Sequence, residues 1–253
     1  MSSDDLAGAA KVPPATALFW FLKIIATTLG ETAGDAVSLS MQLGYLRSTL
    51  LFAALFSAAV ATQITASRFH PFRYWLTLMA TTTLGTTLAD FADRSLGMGY
   101  PGGSALLLLL LLGCLGVWHG TLGTVATDNV RSRREERWYW TTLMASQTLG
   151  TALGDWAADS AALGYGGAMR LFALGLGMVA VAYYATRWSR TLLFWMAFIL
   201  TRPLGAVVGD FLDKSPAEGG LGLSRYTASL ALLAIMGLTI IIWAPRDKVA
   251  ASR

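Results

Sequence analysis

Four aspartates, Asp35, Asp90, Asp155 and Asp210, recur in one frame, each five residues after a glycine (Gly30, Gly85, Gly150, Gly205) and fifteen after a tryptophan (Trp20, Trp75, Trp140, Trp195). The chain is a fourfold internal repeat, and a fixed period restricts the possible folds more than any single motif does. Apolar stretches of the length a helix needs to cross about 30 Å of hydrocarbon fall near 17–40, 47–67, 72–93, 103–122, 138–160, 168–187, 190–212 and 225–244, two in each copy. A soluble reading of these stretches fails, because a run such as Ser104 to Val117 has no polar face to turn to water. The 13% of charged residues is also too few for a soluble globule, where about a quarter is usual.

The expected fold is an all-α integral membrane protein with eight transmembrane helices in four parallel two-helix repeats. Its segments are a tail at 1–16, repeat 1 at 17–67, repeat 2 at 72–122, a basic loop at 123–137, repeat 3 at 138–187, repeat 4 at 190–244 and a second tail at 245–253. Two spans per copy make every repeat enter the membrane in the same direction, so the odd helices can gather around one axis. The aspartates are 55, 65 and 55 residues apart, with the Arg131, Arg133, Arg134 and Arg137 loop in the long interval. That spacing predicts two halves of two repeats.

Basic residues set the expected orientation. Twelve lie on the side of the termini and of the loops after spans two, four and six, against five on the other side (Arg47, Arg94, Arg170, Lys214 and Arg225). The positive-inside rule then places both termini in the cytoplasm. Eight of nine tryptophans fall at the same ends, where indole suits the headgroup layer. Residues 1–16 lack the basic start and small-residue cleavage site of a signal peptide. The sequence pI near 9.4 needs no nucleic-acid partner, since topology accounts for the basic residues. Gly44-Tyr45, Gly99-Tyr100 and Gly164-Tyr165 follow the first three aspartates at one spacing and predict outer turns, whereas Ser215 to Gly220 makes the fourth outer loop irregular.

Aligned on the aspartates, the cores keep small residues four apart: Gly30 and Gly34, Gly85 and Ala89, Gly150 and Gly154, Gly205 and Gly209. Such spacing on one face lets helix backbones approach closely in lipid. Packing explains the glycines but not the carboxylates, because an ionisable group within the membrane is costly unless it faces protein or water. Four in register point to a site for a cation. Asp35, Asp90, Asp155 and Asp210, with Glu31 and the supporting Thr27, Thr28, Thr82, Thr83, Gln147 and Thr148, make an all-oxygen set suited to Mn²⁺, Mg²⁺ or Ca²⁺. Clustered carboxylates can also hold a proton and exchange it for metal. The alternative is architectural: aspartates that cap helix ends or bond helix to helix. Asp93, Asp159 and Asp213, one turn outward, are expected as a solvated rim, with Arg94 and Lys214 neutralising two of them.

Two positions break the columns. Four residues before the aspartate stand Glu31, Thr86, Thr151 and Ala206; eight before stand Thr27, Thr82, Gln147 and Arg202. One acid and one base near mid-membrane are expected to pair, since either alone would be expensive there. Nothing predicts an enzyme or a bound cofactor. No nucleophile has a base at usable spacing, Cys114 is the lone cysteine, and His70 and His119 lack partners at ligand spacing.

Four tandem two-span units, each with an opening tryptophan and a Gly-x-x-x-(Gly/Ala)-Asp core, resemble a bacterial membrane-anchored family built from a tandem repeat of unknown function. The likeness runs from about Thr16 to Trp243 and implies the architecture and a bacterial inner membrane. The segment Gly30 to Asp35 also resembles the Glu-x-Gly-Asp signature of manganese and calcium exporters, in which acids from repeated helices bind metal. Here the spacing is Glu-x-x-Gly-Asp, and only one copy has the glutamate. The functional expectation is a cation transporter exporting a divalent metal such as manganese, with protons as counter-ion. The alternatives are a pseudo-fourfold cation channel and a non-transporting scaffold or sensor. The expected partners are the lipid bilayer and a metal cation or proton, with no nucleic acid; the sequence leaves the oligomeric state open.

Overall fold

The computed structural model describes residues 10–250, with side chains for all of these except 129 and 243–250. Positions 1–9 and 251–253 of the two expected tails lie outside the described residues, as do the side chains of the topogenic Arg246, Lys248 and Arg253. Among the described residues there are eight α-helices and no strand: α1 (Ala17–Asp35), α2 (Tyr45–Thr65), α3 (Pro71–Asp90), α4 (Tyr100–Leu122), α5 (Arg133–Asp155), α6 (Gly164–Ala185), α7 (Arg190–Asp213) and α8 (Arg225–Ala250). The last helix therefore continues past 244 into the region expected as a tail.

Five helices, α2, α4, α6, α7 and α8, are long and apolar enough to cross a membrane. Their length and apolar composition are those of a membrane protein. The remaining three, α1, α3 and α5, have 19, 20 and 23 residues but spend many on polar side chains. All six threonines of α3 are buried. Hydroxyls such as Thr81, donating to Thr77 O at 2.6 Å, turn back onto their own helix, which makes a polar side chain tolerable away from water.

Helix neighbours explain this division. Helices α1, α3, α5 and α7 form a closed ring in which each touches the next and α7 returns to α1. Each even helix packs on the odd helix of the following repeat: α2 on α3, α4 on α5, α6 on α7, and α8 back on α1. The hairpins thus interlock around the circle. Only 11–17% of the most apolar stretch of α2, α4, α6 and α8 is buried, against 61% for α7, so the even helices form the outer layer. Leu109, Leu174, Met178 and Leu230 are among the residues they expose.

The inner ring closes through the repeated glycines. A Cβ built on Gly30 would lie 2.6 Å from Thr82 Cβ, one on Gly85 2.9 Å from Gln147 Cβ, one on Gly150 2.5 Å from Arg202 Cβ, and one on Gly205 2.6 Å from Thr27 Cβ. The residue eight before each aspartate is a knob seated on the glycine of the preceding copy, and the fourth copy receives the first. The second small residue does the same one turn on: Gly34 meets Thr86, Gly154 meets Ala206 and Gly209 meets Glu31. Hydroxyls join the backbones at these crossings, Thr27 donating to Thr201 O at 3.3 Å and Thr82 to Ala26 O at 3.2 Å.

The first three aspartates mark the end of regular α-helix. The chain passes directly into π-helical turns at Ala36–Ser40, Phe91–Ser95 and Trp156–Ser160. It then reverses through Gly44, Gly99 and Gly164, whose φ of 75°, 69° and 62° glycine adopts without strain. The fourth copy stays α-helical to Asp213 and turns through a short 3-10 segment, Pro216–Glu218.

At the opposite end the axis is filled by aromatic rings, and the tryptophans depart from expectation. Trp75, Trp118, Trp140 and Trp195 are only 1–4% exposed. Trp75 packs 5.7 Å from the ring of Phe19, Trp140 5.6 Å from Tyr74, and Trp20 5.6 Å from Phe194. The repeated tryptophan therefore packs between neighbouring inner helices. Lys11, expected as a topogenic charge, is also buried here; its amine donates to Glu136 at 2.6 Å, and Gln63 donates to the same carboxylate at 3.2 Å.

Candidate functional site

Because equivalent residues of a parallel ring share a level, the inner helices stack their side chains in tiers about 6 Å apart, one per four residues. The outermost tier is Asp35, Asp90, Asp155 and Asp210, each 3–4% exposed. The four are joined in pairs by two cations. Arg94 Nε lies 2.9 Å from Asp90 in its own helical run and its Nη2 3.4 Å from Asp155 in the next copy. Lys214 Nζ lies 3.2 Å from its own Asp210 and 3.1 Å from Asp35. Both bases stand four residues after an aspartate, in the second and fourth copies only, so the tier is twofold where the helices are fourfold.

Arg94 and Lys214 thus serve the deep aspartates, not the neighbours expected for them. Asp213 pairs instead with Arg225 at 2.9 Å, and Arg225 also reaches Asp35 at 3.6 Å. Asp93 is 7% exposed with neither oxygen hydrogen-bonded among the described residues, packed against Gly103 of α4. Only Asp159 is exposed as a rim residue should be. A tyrosine of the Gly-Tyr turns stands beside the tier, the Tyr100 ring centre lying 5.8 Å from Arg94.

The next tier inward holds Glu31, Thr86, Thr151 and Ala206. Arg202, fully buried, enters it from one turn below and crosses the axis. Its Nη1 donates to Glu31 at 3.0 Å, and its Nη2 to Thr86 at 2.6 Å and Thr151 at 2.5 Å. One guanidinium therefore ties all four inner helices together. The Thr86 hydroxyl also lies 3.2 Å from the Glu31 carboxylate. Removing one member of such a buried pair costs about 3–5 kcal/mol, because the other is left charged without a partner.

Of the supporting polar residues, Thr27 and Thr82 bond helix to helix at the glycine crossings. Thr83 and Thr148 donate to Met79 O and Met144 O of their own helices, at 2.9 and 3.0 Å. Thr148 lines a lateral groove, and Thr28 is buried without a hydrogen bond to an aspartate among the described residues. Gln147 is fully buried, and neither amide atom has a partner among the described residues. The carboxylates are brought together in pairs, whereas these hydroxyls and this amide make no hydrogen bond to them among the described residues.

One charge escaped the repeat reading. Lys23, fully buried in α1, donates to Phe198 O at 3.2 Å and sits 3.7 Å above the Phe198 ring. A signal existed: the equivalent positions in the other copies are Leu78, Leu143 and Phe198, so a lysine there is as anomalous as Glu31 or Arg202. Chemically, the arrangement is a carboxylate tier held closed by the chain's own cations. Arg94, Lys214 and Arg225 keep side-chain exposures of 36%, 13% and 23%, so these cations, and not the acids, face the outside. Asp35, Asp210 and Asp213 can each bring one oxygen within 4.8 Å of the others, a span that a hard cation with oxygen ligands could bridge.

The family model described as Repeat of Unknown Function (DUF347) matches the chain four times, over residues 18–69, 73–124, 138–189 and 193–248. These matches cover most of the 253 residues, and the chain belongs to that family. Comparison with curated proteins and with solved structures finds no match.

Proposed function

Taking membership of this repeat family as the premise, we propose that the protein is a cation transporter of the bacterial inner membrane, exporting a divalent metal such as manganese in exchange for protons. In this reading all eight helices span the bilayer, the more polar α1, α3 and α5 being shielded by the outer layer. Both termini and the aromatic end face the cytoplasm, and the aspartate tier faces outward.

The observation that carries the reading is the pairing of Asp35 with Asp210 and of Asp90 with Asp155 through Lys214 and Arg94. Purely structural carboxylates would be served as well by partners within one repeat. Here each cation links successive copies and is tethered at the solvent side, so it can swing out as a hard metal ion takes its place between the same oxygens. Neutralisation is then conserved: the acids stay paired, first by the chain's own charges and then by the cargo. Protons binding the carboxylates would release the metal and reset the tier. The packed axis argues against the channel alternative, because Arg202 and the aromatic tiers occupy the line a pore would follow.

Flux into liposomes tests this directly. Wild-type protein is expected to move Mn²⁺ in response to a pH gradient, and Asp35→Asn or Asp210→Asn to lower that flux by about tenfold or more, which corresponds to about 1.4 kcal/mol at the site. Absence of Mn²⁺, Mg²⁺ and Ca²⁺ flux in the wild type, with and without a pH gradient, would remove the proposal. Flux without any gradient coupling would move it to a channel.

A further inference from the structure

The outer helices do not cover the ring evenly. A cavity of about 370 Å³ opens between α2, α4 and α5, lined on α2 by Phe56, Val60 and Ile64. A second, of about 880 Å³, lies against α6, α7 and α1 and is lined on α6 by Leu176, Ala180 and Tyr184. Those two sets are each 120 residues apart, as are Asp35 and Asp155, so one wall of each groove is twofold-equivalent, although the first is completed by α4 and the second by α7. Each has a repeated tryptophan in its wall, Trp140 in one and Trp20 in the other, and an arginine at the aromatic end, Arg137 and Arg190.

We propose that the groove between α2, α4 and α5 is a binding site for an anionic phospholipid, with an acyl chain along the apolar wall and the headgroup phosphate at Arg137. A gap between membrane helices that opens sideways is filled by whatever the bilayer supplies, so an apolar wall alone would select nothing. The charge at its mouth makes the difference. Arg137 is exposed on the first turns of α5 beside Arg133 and Arg134, which are also exposed, and basic pockets between helices at the membrane surface attract anionic headgroups. Arg137 commits Nε to Arg133 O at 3.3 Å, leaving its terminal nitrogens for a phosphate. A peptide is a poorer occupant, because in hydrocarbon every backbone amide needs a partner and this largely apolar wall offers few.

The groove contains its own reporter, since Cys114 is the only cysteine of the chain and lines it. The purified full-length protein in a neutral detergent would be treated with a small maleimide while phosphatidylglycerol or phosphatidylcholine with the same acyl chains is titrated in. Phosphatidylglycerol is expected to slow Cys114 alkylation at about fivefold lower concentration than phosphatidylcholine, the advantage of roughly one arginine near an anionic headgroup. Arg137→Gln should bring the two lipids to parity without loss of folded protein, and inorganic phosphate alone should leave the rate unchanged. Equal protection by the two lipids in the wild type would overturn the proposal. So would a preference that survives Arg137→Gln, or protection by phosphate without lipid. None of these readouts depends on transport, so the site and the transport reading stand or fall separately.

Discussion

The same four inner helices are closed at their two ends by opposite chemistry. At one end, Phe19, Tyr74, Tyr139 and Phe194 interleave with tryptophans, and the Tyr74 and Tyr139 hydroxyls share one hydrogen bond of 2.6 Å. At the other, four carboxylates are held by Arg94, Lys214 and Arg225. The aromatic end follows the repeat closely, with an aromatic residue at the equivalent place in every copy. The acidic end repeats its acids but not its bases. Repetition therefore builds the scaffold, and departures from it supply the charge balance. Two bases, each shared between the aspartates of neighbouring copies, serve four acids, which a strictly fourfold sequence could not arrange.

The boundary between the two ends is the Arg202 tier, and breaking it should have the largest effect. Arg202→Leu leaves Glu31 buried without its cation and is expected to cost about 3–5 kcal/mol, seen as a large drop in detergent thermal stability. Combining it with Glu31→Gln should recover most of the loss. If the double variant is no better than the single one, the pair does not act as a unit.

A smaller effect is expected at the ring crossings, where Gly30→Ala and Gly205→Ala push a methyl group into the Thr82 and Thr27 knobs. Overpacking of this kind costs about 1–3 kcal/mol, and both variants should unfold at lower temperature, whereas Gly116→Ala on the outer helix α4, where a Cβ meets nothing within 4 Å, should be near neutral. Equal sensitivity of the two layers would erase the distinction between ring and shell.

The ends themselves can be compared next. Both variants strand buried acids, but Lys11→Met removes a base 8% exposed, while Arg94→Gln removes one 36% exposed, at a place that water reaches. The first should destabilise more, and 0.5 M salt, a concentration chosen only to screen, should narrow the effect of the second more than that of the first. The smallest effect belongs to the outer turns. Ala162 adopts φ 54° at the place where the second repeat has Gly97 at φ 68°, and Ala162→Gly should stabilise by about 1 kcal/mol through relief of left-handed strain.

Much of this architecture was readable from spacing. The eight helices and the span limits 17–40, which match α1 plus its π-helical turn, follow from apolar length. That Glu31 and Arg202 fall one tier apart follows from counting back from the aspartates. What spacing could not supply was rotation about each helix axis and the reach of flexible side chains. A tryptophan at a helix end suits the headgroup layer or an interhelical crossing equally well, and only the aromatic partners on the neighbouring inner helices decided for the crossing. Arg94 and Lys214 have long enough stems to reach Asp93 or Asp213 nearby, or the next copy's aspartate; the helix geometry made the second choice.

The sequence by itself determined that this protein is a repeated, all-helical membrane protein with one acid per copy at a common depth, because period, length and hydropathy are local properties of the chain. The tertiary structure decided that each outer helix serves the following repeat, that the carboxylates meet as a closed tier, and that two lateral grooves remain. Those outcomes depend on contacts between residues far apart in sequence, where close packing and charge neutrality act on the assembled ring and not on any one copy.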